Sequence, residues 1–180
     1  MDLPLVVQRL SDGESLRRLR LEALADAPSA FLGRFDEESV RPREEWQQAV
    51  VREVWFVAWL GPVPVGLATV VLDPGTQSHY VESMWVRRAN RGQGIVDTLL
   101  TAIEEYVVGG GGSELRLWVL SGNDTATRAY RRYGFRPTGL KQPIPGRRGV
   151  FEEEFAIAIP SRPGDAVHSR GERPGDRDRR

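Results

Sequence analysis

The residues whose types and spacing first suggest chemistry form the turn RGQGIV at residues 91–96, which joins an apolar run at residues 81–86 to a helical pattern. A strand that leads into a glycine-rich turn and then a helix directs backbone N–H groups and the positive end of the helix toward one spot. Gly92 and Gly94 allow a phosphate to approach the backbone, and Arg91 can add a charge-assisted contact. Taken alone, the pattern fits either a phosphate site or a tight turn that packs a helix on a sheet.

A second patterned segment, NDTATRAYRRYGF, occupies residues 123–135. Asn123 has the side chain of a helix N-cap, and Ala126 and Tyr130 lie four residues apart, on the same helical face. Together with MWVRRANRGQGIV at residues 84–96, this segment closely resembles the two diagnostic motifs of the GNAT superfamily, the acyl-CoA-dependent N-acyltransferases. The resemblance extends over residues 5–159 in the family's order of strands and helices. The segment at residues 18–38 is similar to the N-terminal region of many small bacterial members.

The resemblance implies an acetyltransferase that uses acetyl-CoA as its co-substrate and needs no metal. It implies that the turn at residues 91–96 holds the pyrophosphate of coenzyme A and that the backbone of β-strand residues Met84 and Val86 pairs with the pantetheine arm. Asn123 would contact the same arm, and Tyr130 would protonate the departing thiolate. The implied cofactor contacts are Met84, Val86, Arg91, Gly92, Gln93, Gly94, Ile95, Val96 and Asn123.

A proton acceptor is also needed, because an amine attacks a thioester in its uncharged form. In an extended strand Glu82 lies on the same face as Met84 and Val86, so we expect its carboxylate near the acyl end of the cofactor. Some superfamily members carry an acidic residue at this place that acts directly or through water. Glu82 is the predicted base; the alternatives are a structural glutamate or a group that positions a substrate cation, and His79 is a lesser candidate.

Val96 departs from the superfamily pattern, which places glycine or alanine at this position of the turn. Valine adds two methyl groups relative to alanine where a helix start packs closely. Three readings follow: the side chain turns into the core and its N–H still binds phosphate, the affinity for coenzyme A is reduced, or the site is vestigial. The last reading leaves a rival function, a non-catalytic module that binds acyl-CoA or a partner on the same scaffold.

The acceptor pocket of this superfamily is usually formed by the first two helices and the loop before the last strand. Phe31 and Phe35 are the candidate apolar wall, and Glu37, with its neighbour Glu38, is a candidate receiver of a cationic amine; the alternative is that the phenylalanines are core and the glutamates are solvated. Trp118 stands where some protein-directed members carry glutamate, which disfavours a ribosomal-protein acceptor. We therefore expect a primary amine as acceptor, in a small molecule or a protein, and the sequence favours the small molecule.

The elements that must position these residues predict an α/β fold with a mixed, mostly antiparallel sheet of six or seven strands and about four helices. Three strand patterns at residues 54–60, 64–73 and 78–86 are separated by turn sequences and predict a meander. Pro42 suits the start of the second helix, and the run GGGG at residues 109–112 ends the helix that follows the glycine turn.

Composition limits the partners and the compartment. The chain has 180 residues, and its 25 Lys and Arg balance its 25 Asp and Glu, so no net field favours nucleic acid or membrane as a partner. It has no cysteine and no signal-peptide pattern, which predicts the cytoplasm. Residues 1–160 form one predicted domain and residues 161–180, rich in charge, proline and glycine, a predicted disordered tail. Exposed edge strands could pair in a homodimer.

Overall fold

A mixed sheet with the strand order β1-β2-β3-β4-β5-β7-β6 organises residues 3–159, the part of the chain that the computed structural model describes. Its strands are β1 (Leu5–Leu10), β2 (Val54–Leu60), β3 (Val63–Asp73), β4 (Ser78–Val86), β5 (Glu114–Leu120), β6 (Arg136–Pro143) and β7 (Phe151–Ala158). The helices are α1 (Gly13–Asp26), α2 (Phe35–Ser39), α3 (Arg43–Arg52), α4 (Ile95–Gly109) and α5 (Asp124–Tyr133), with a 3₁₀ turn at Arg88–Asn90.

The sheet has the predicted mixed character. Strands β1 to β4 pair in antiparallel order, β4 and β5 are parallel, and β7 pairs in antiparallel fashion with both β5 and β6. The meander and the seven strands of the described residues confirm the prediction. The prediction of about four helices missed one short element, because α2 forms a single acidic turn-and-a-half ahead of the helix that Pro42 precedes.

Two apolar layers cover the two faces of the sheet. Helices α1 and α3 bury Leu16, Leu19 and Trp46 against Trp55 and Trp85 of the strands. On the other face α4 buries one side of its apolar stripe, including Ile95, Leu99, Leu100 and Ile103. A Cβ at Gly66 of β3 would lie 3.0 Å from Ile95 Cγ2, so the start of α4 packs directly on the sheet beside the end of β4.

Residues 1, 2 and 160 of the predicted domain and the whole of the predicted tail at residues 161–180 lie outside the described residues, so the predicted boundary stays a prediction. Among residues 3–159, no helix combines the length and the apolar character needed to cross a membrane.

Candidate functional site

A gap between two central strands creates the main cleft of the molecule. Strands β4 and β5 pair through His79 with Leu115 and Tyr80 with Arg116, and beyond these pairs they diverge. Past Tyr80 the β4 backbone has no strand partner on its β5 side, so its N–H and C=O groups there, apart from the Val86 carbonyl that accepts from Arg91 Nε, can pair with an extended ligand as an added strand. A cavity of about 980 Å³ opens there.

The cleft brings together most of the residues that the sequence motifs predict, from both motifs. They are Met84, Val86, Arg91, Gly92, Gly94, Ile95, Val96, Asn123 and Tyr130, together with Phe31 from the predicted acceptor wall. Gln93 is exposed at the turn, and its side chain donates to the Ala89 carbonyl at 3.4 Å rather than lining the cleft. Glu82, Phe35 and Glu37 also lie outside its lining.

The glycine turn has the geometry of an anion cradle. Gly92 and Gly94 both have φ of 79°, a left-handed conformation that L side chains rarely adopt, although a Cβ at either would meet nothing within 4 Å. No side chain caps α4, and its first backbone bond runs from the Thr98 N–H to the Gly94 carbonyl at 3.1 Å. The preceding N–H groups have no acceptor in the helix, so this end of α4 fits the phosphates of a nucleotide cofactor.

Positive charge surrounds the cleft. Among the described residues that line it, five are arginines and one is a carboxylate, Asp26; the arginines are Arg88, Arg91, Arg128, Arg132 and Arg147. Arg91, which the sequence predicts to add a charge-assisted contact to a phosphate, is already engaged within the protein: its Nε donates to the Val86 carbonyl at 2.9 Å, and its Nη2 pairs with Asp26. It therefore anchors the turn to β4 and α1. Arg88 also pairs with Asp26, at 3.5 Å, and Arg132 with Asp97, so carboxylates balance part of this positive charge.

Val96 occupies the position that departs from the superfamily pattern. Its side chain is half-buried against the α4 core, and the residue also lines the cleft. The side chain thus packs in part against the core while the residue borders the cleft, and the choice among the three readings stays a prediction. The next residue, Asp97, pairs with Arg132 of α5 at 3.1 Å, so its charge is partly neutralised beside the cradle.

The second motif supplies a cap and a buried phenol. Asn123 caps α5 by accepting from the Ala126 N–H at 3.2 Å through Oδ1, which leaves its amide nitrogen for another partner. Tyr130 is 8% exposed and lines the cleft, with its ring edge-on to Phe135 at 5.9 Å. Its hydroxyl has no hydrogen-bond partner within residues 3–159. Burial raises the pKa of Tyr130 above its usual value, so the phenol keeps its proton at neutral pH.

The structure corrects the predicted orientation of Glu82. Leu67 and Thr69 of β3 pair with Trp85 and Glu82 of β4. One residue separates the two on β3 but two residues separate them on β4, so β4 has a bulge there. Ser83 in this bulge has φ of 54°. The bulge reverses the alternation, so Glu82 shares its face with Trp85 and the α1 layer, whereas Met84 and Val86 pack toward α4. The expectation that Glu82 shares a face with Met84 and Val86 was wrong.

Glu82 nevertheless lies two residues beyond the last β4 to β5 pair, at the start of the gap. Its pKa is raised above the ordinary glutamate value, first by desolvation and then by the carboxylates of Glu53 and Glu152, while Arg20 opposes the shift. A carboxyl group with a raised pKa holds a proton more readily, as a general base for an amine requires.

The predicted acceptor residues divide between two places. A second cavity of about 760 Å³ includes Phe35 and Glu37 in its lining, with Arg147 shared by both cavities. Glu37 lies 3.4 Å from Arg34 in an exposed ion pair. Glu38 is not available to a substrate amine, because it is buried in a pair with Arg20. Phe31 is a core residue, as the alternative to an acceptor wall predicted, and it also lines the main cleft.

Sequence reasoning missed a buried polar cluster at the point where β4 and β5 part. Glu154 of β7, 1% exposed, accepts from the Tyr80 hydroxyl at 2.7 Å, from the Thr138 hydroxyl at 2.8 Å and from Arg116 Nη1 at 3.1 Å. The alternation of EEE at residues 152–154 in a strand predicts only that one or two of these glutamates face solvent, and it identifies no partner for the others. Among the described residues, no group of three or more His, Cys, Asp and Glu side chains is arranged to hold a metal ion.

Comparison with known proteins agrees with this geometry. The family model described as Acetyltransferase (GNAT) family matches residues 20–135, which include the bulge, the cradle and α5. The chain belongs to this family. A comparison with curated proteins finds no match.

Solved structures share the fold. The acetyltransferase from Salmonella typhimurium, solved with its cofactor acetyl-CoA, is 15% identical with a TM-score of 0.69, covering 87% of this chain and 95% of that one. The ribosomal L7/L12 α-N-protein acetyltransferase in complex with coenzyme A is 17% identical with a TM-score of 0.68, over 88% and 98% of the two chains. Nourseothricin acetyltransferase is 27% identical with a TM-score of 0.55, over 61% and 66%.

Proposed function

We propose that this GNAT protein transfers the acetyl group of acetyl-CoA to the primary amine of a small molecule by direct attack of the amine on the thioester. The observation that carries the proposal is one cleft that joins an uncapped helix start, an unpaired stretch of β4 and a buried phenol. Structures of the same fold that hold acetyl-CoA or coenzyme A support the choice of cofactor.

The residues of this chain divide the work of binding. The backbone of Met84 and Val86 would pair with the pantetheine arm, the N–H groups of the turn up to Val96 would bind the pyrophosphate, and Asn123 would contact the arm. Acetyl-CoA, when bound, supplies an activated acetyl group. Positive charge from the cleft arginines favours the phosphates over neutral ligands.

The proposed chemistry needs two proton transfers. Glu82, directly or through water, takes the proton that the attacking amine nitrogen releases as its bond to the carbonyl carbon forms. Tyr130 gives its hydroxyl proton to the sulfur as the carbon–sulfur bond breaks. Burial favours the protonated form of the Tyr130 phenol, as an acid requires, and the raised pKa of Glu82 makes its carboxylate a stronger proton acceptor.

The acceptor is proposed to bind beside Phe31 and in the second cavity, which contains Phe35 and Glu37. Its volume of about 760 Å³ is in the range of small-molecule pockets. Neighbours of this fold include both nourseothricin acetyltransferase and a ribosomal-protein acetyltransferase, so the choice of a small molecule rests on the concave lining of this chain. The cytoplasm and the pairing of edge strands in a homodimer stay predictions.

Calorimetric titration with acetyl-CoA and with coenzyme A tests the cofactor, and thiol release with a panel of primary amines tests the reaction. Saturable micromolar binding with amine-dependent thiol release is the expected result. Binding without turnover on any amine would favour the non-catalytic module, and no binding at millimolar cofactor would refute the proposal.

Val96→Ala tests the departure from the superfamily pattern, with Val108→Ala, a half-buried valine of the same helix, as the control. If the valine side chain only packs inward, Val96→Ala should change the affinity for coenzyme A by less than about threefold. A tenfold gain in affinity, absent in the control, would mean instead that the valine hinders the phosphate.

A further inference from the structure

A nearly buried ion pair links α1 to α2. Arg20 binds Glu38 through both oxygens, with Nε to Oε2 at 3.0 Å and Nη2 to Oε1 at 2.8 Å, and the two side chains are 11% and 10% exposed. Burial of two charges is costly even when they are paired, and an apolar pair of similar volume is often as stable. The pair therefore calls for an explanation beyond stability.

Arg20 makes three further contacts, each to a different part of the site. Its Nη1 donates to Ser83 Oγ at 3.2 Å, and its guanidinium lies over the ring of Phe31 at 5.0 Å from the centroid. Gly33 packs on the pair so closely that a Cβ there would lie 2.7 Å from Arg20 Nη2 and would overlap the carboxylate of Glu38. The same guanidinium thus contacts the β4 bulge, the main cleft wall and the loop that borders the second cavity.

The contact at Ser83 is important because this residue is strained. A φ of 54° is uncommon for a residue that is not glycine, and such conformations persist where the surroundings hold them. Ser83 stands between Glu82 and Met84, so its conformation sets both the direction of the candidate base and the course of the strand that would pair with pantetheine. A hydrogen bond from a fixed guanidinium is a means of holding it.

We propose that Arg20, fixed by Glu38, is a positioning residue that holds the bulge at Ser83 and the wall at Phe31 in one geometry, and so aligns Glu82 and the cofactor strand with the acceptor. The inference rests on the proposed function. It assigns no direct chemical role to Arg20.

The charges that face Glu82 give this positioning a measurable signature. Arg20 from α1 is the cation among them, and Glu53 after α3 and Glu152 of β7 are the carboxylates. On its own strand, Tyr80 is engaged with Glu154. Removal of the Arg20 cation leaves the two carboxylates unopposed, so the pKa of Glu82 should rise further.

Three variants and one control test the proposal on the full chain. R20M/E38M replaces the ion pair by apolar side chains, and S83A keeps the pair but removes its bond to the bulge. E14M/R17M is the matched control, since it removes an exposed pair, 3.6 Å apart, from the same helix. R20K tests rescue, because lysine keeps the positive charge but cannot form the two parallel hydrogen bonds that arginine makes to a carboxylate. The readouts are thermal unfolding, the titration of Glu82 by carboxyl carbon NMR, with E82Q for assignment, and the Kd of coenzyme A by calorimetry.

The expected result for folded R20M/E38M is a Glu82 midpoint higher by about half a pH unit or more, with a Kd for coenzyme A raised about fivefold. R20K should restore the midpoint but not the Kd, and E14M/R17M should match the wild type. If R20M/E38M does not fold, S83A decides, because it must raise the Kd by about threefold or more.

A change in melting temperature with an unchanged Glu82 midpoint and Kd would overturn the proposal and leave the pair a structural role. Neither readout needs an acceptor. If the wild type binds no coenzyme A, the proposed function fails, and the Glu82 titration still decides whether the Arg20 charge acts on that carboxylate.

Discussion

Tyr130→Phe is the most informative single substitution, because it removes one oxygen atom and little else. The Tyr130 ring is buried edge-on to Phe135, and phenylalanine keeps that contact. The hydroxyl has no hydrogen-bond partner within residues 3–159, so its removal leaves no group there unpaired. We therefore expect the free energy of unfolding to change by about 1 kcal/mol or less.

The effect on catalysis should be much larger. Proton donation by a positioned acid contributes about 10²- to 10⁴-fold in rate, so kcat should fall at least about 100-fold, equivalent to about 2.7 kcal/mol of transition-state stabilisation. Because burial raises the pKa of Tyr130, the wild type should keep its activity above the pH at which an ordinary tyrosine ionises. The alkaline limb of its kcat profile reports this group, and Tyr130→Phe should abolish that limb.

The assay is amine-dependent thiol release from acetyl-CoA, with the Kd of coenzyme A measured in parallel. Tyr133→Phe is the matched control: it lies on the same helix, outside the cleft lining, with its hydroxyl 3.4 Å from Thr101 Oγ1. We expect the control to keep wild-type kcat and both variants to keep wild-type Kd. A Tyr130→Phe enzyme with kcat within about threefold of the wild type would refute the acid role.

Three other substitutions have defined outcomes. Glu82→Gln should lower kcat/KM about 100-fold and remove the acidic limb of its pH profile. Because the pKa of Glu82 is raised in the folded state, the stability of the wild type falls as the pH rises through that pKa. The variant should therefore melt at a higher temperature than the wild type at about pH 8, but not at about pH 4. Gly94→Ala should lower the unfolding free energy, measured in urea, by about 1–2 kcal/mol and weaken coenzyme A binding, because of backbone strain alone. Gly109→Ala should not destabilise the protein, because Gly109 has open space around it and does not have a positive φ. Glu154→Leu leaves three partly buried or exposed donors without their buried acceptor and should cost about 3 kcal/mol in the same assay. Glu153→Leu, at a more exposed neighbour, should cost about 1 kcal/mol or less, and equal losses would contradict the role assigned to Glu154.

The cofactor side of the site could be predicted because its determinants are local. The glycines adopt a left-handed backbone, the start of α4 has no side-chain cap, and Tyr130 lies in α5, seven residues after the N-cap Asn123. Each of these requirements acts within a few residues along the chain, so the pattern of residue types carries it. The meander and the mixed sheet were predicted from the same local patterns together with the family resemblance, whereas the order of the strands in the sheet was not.

The bulge in β4 could not be predicted in this way. SHYVESMWV reads as an uninterrupted strand, and neither Glu82 nor Ser83 has a side chain typical of left-handed backbone. The extra residue follows from pairing with β3 on one side and from contact with Arg20 on the other, both of which are distant in sequence. A face assignment made from alternation alone therefore placed the candidate base on the wrong side of the sheet.

The acceptor side depends throughout on such distant contacts. Arg147 donates to the carbonyl of Phe31 at 3.0 Å across 116 residues, and Arg20 reaches Ser83 across 63. Arg91 and Glu38 show the consequence: each has the residue type for ligand binding, yet each is engaged by a partner on α1. Within this family, a motif that faces a common cofactor is therefore readable from sequence, whereas the free charges of the acceptor pocket can be identified only after the internal pairs have been assigned.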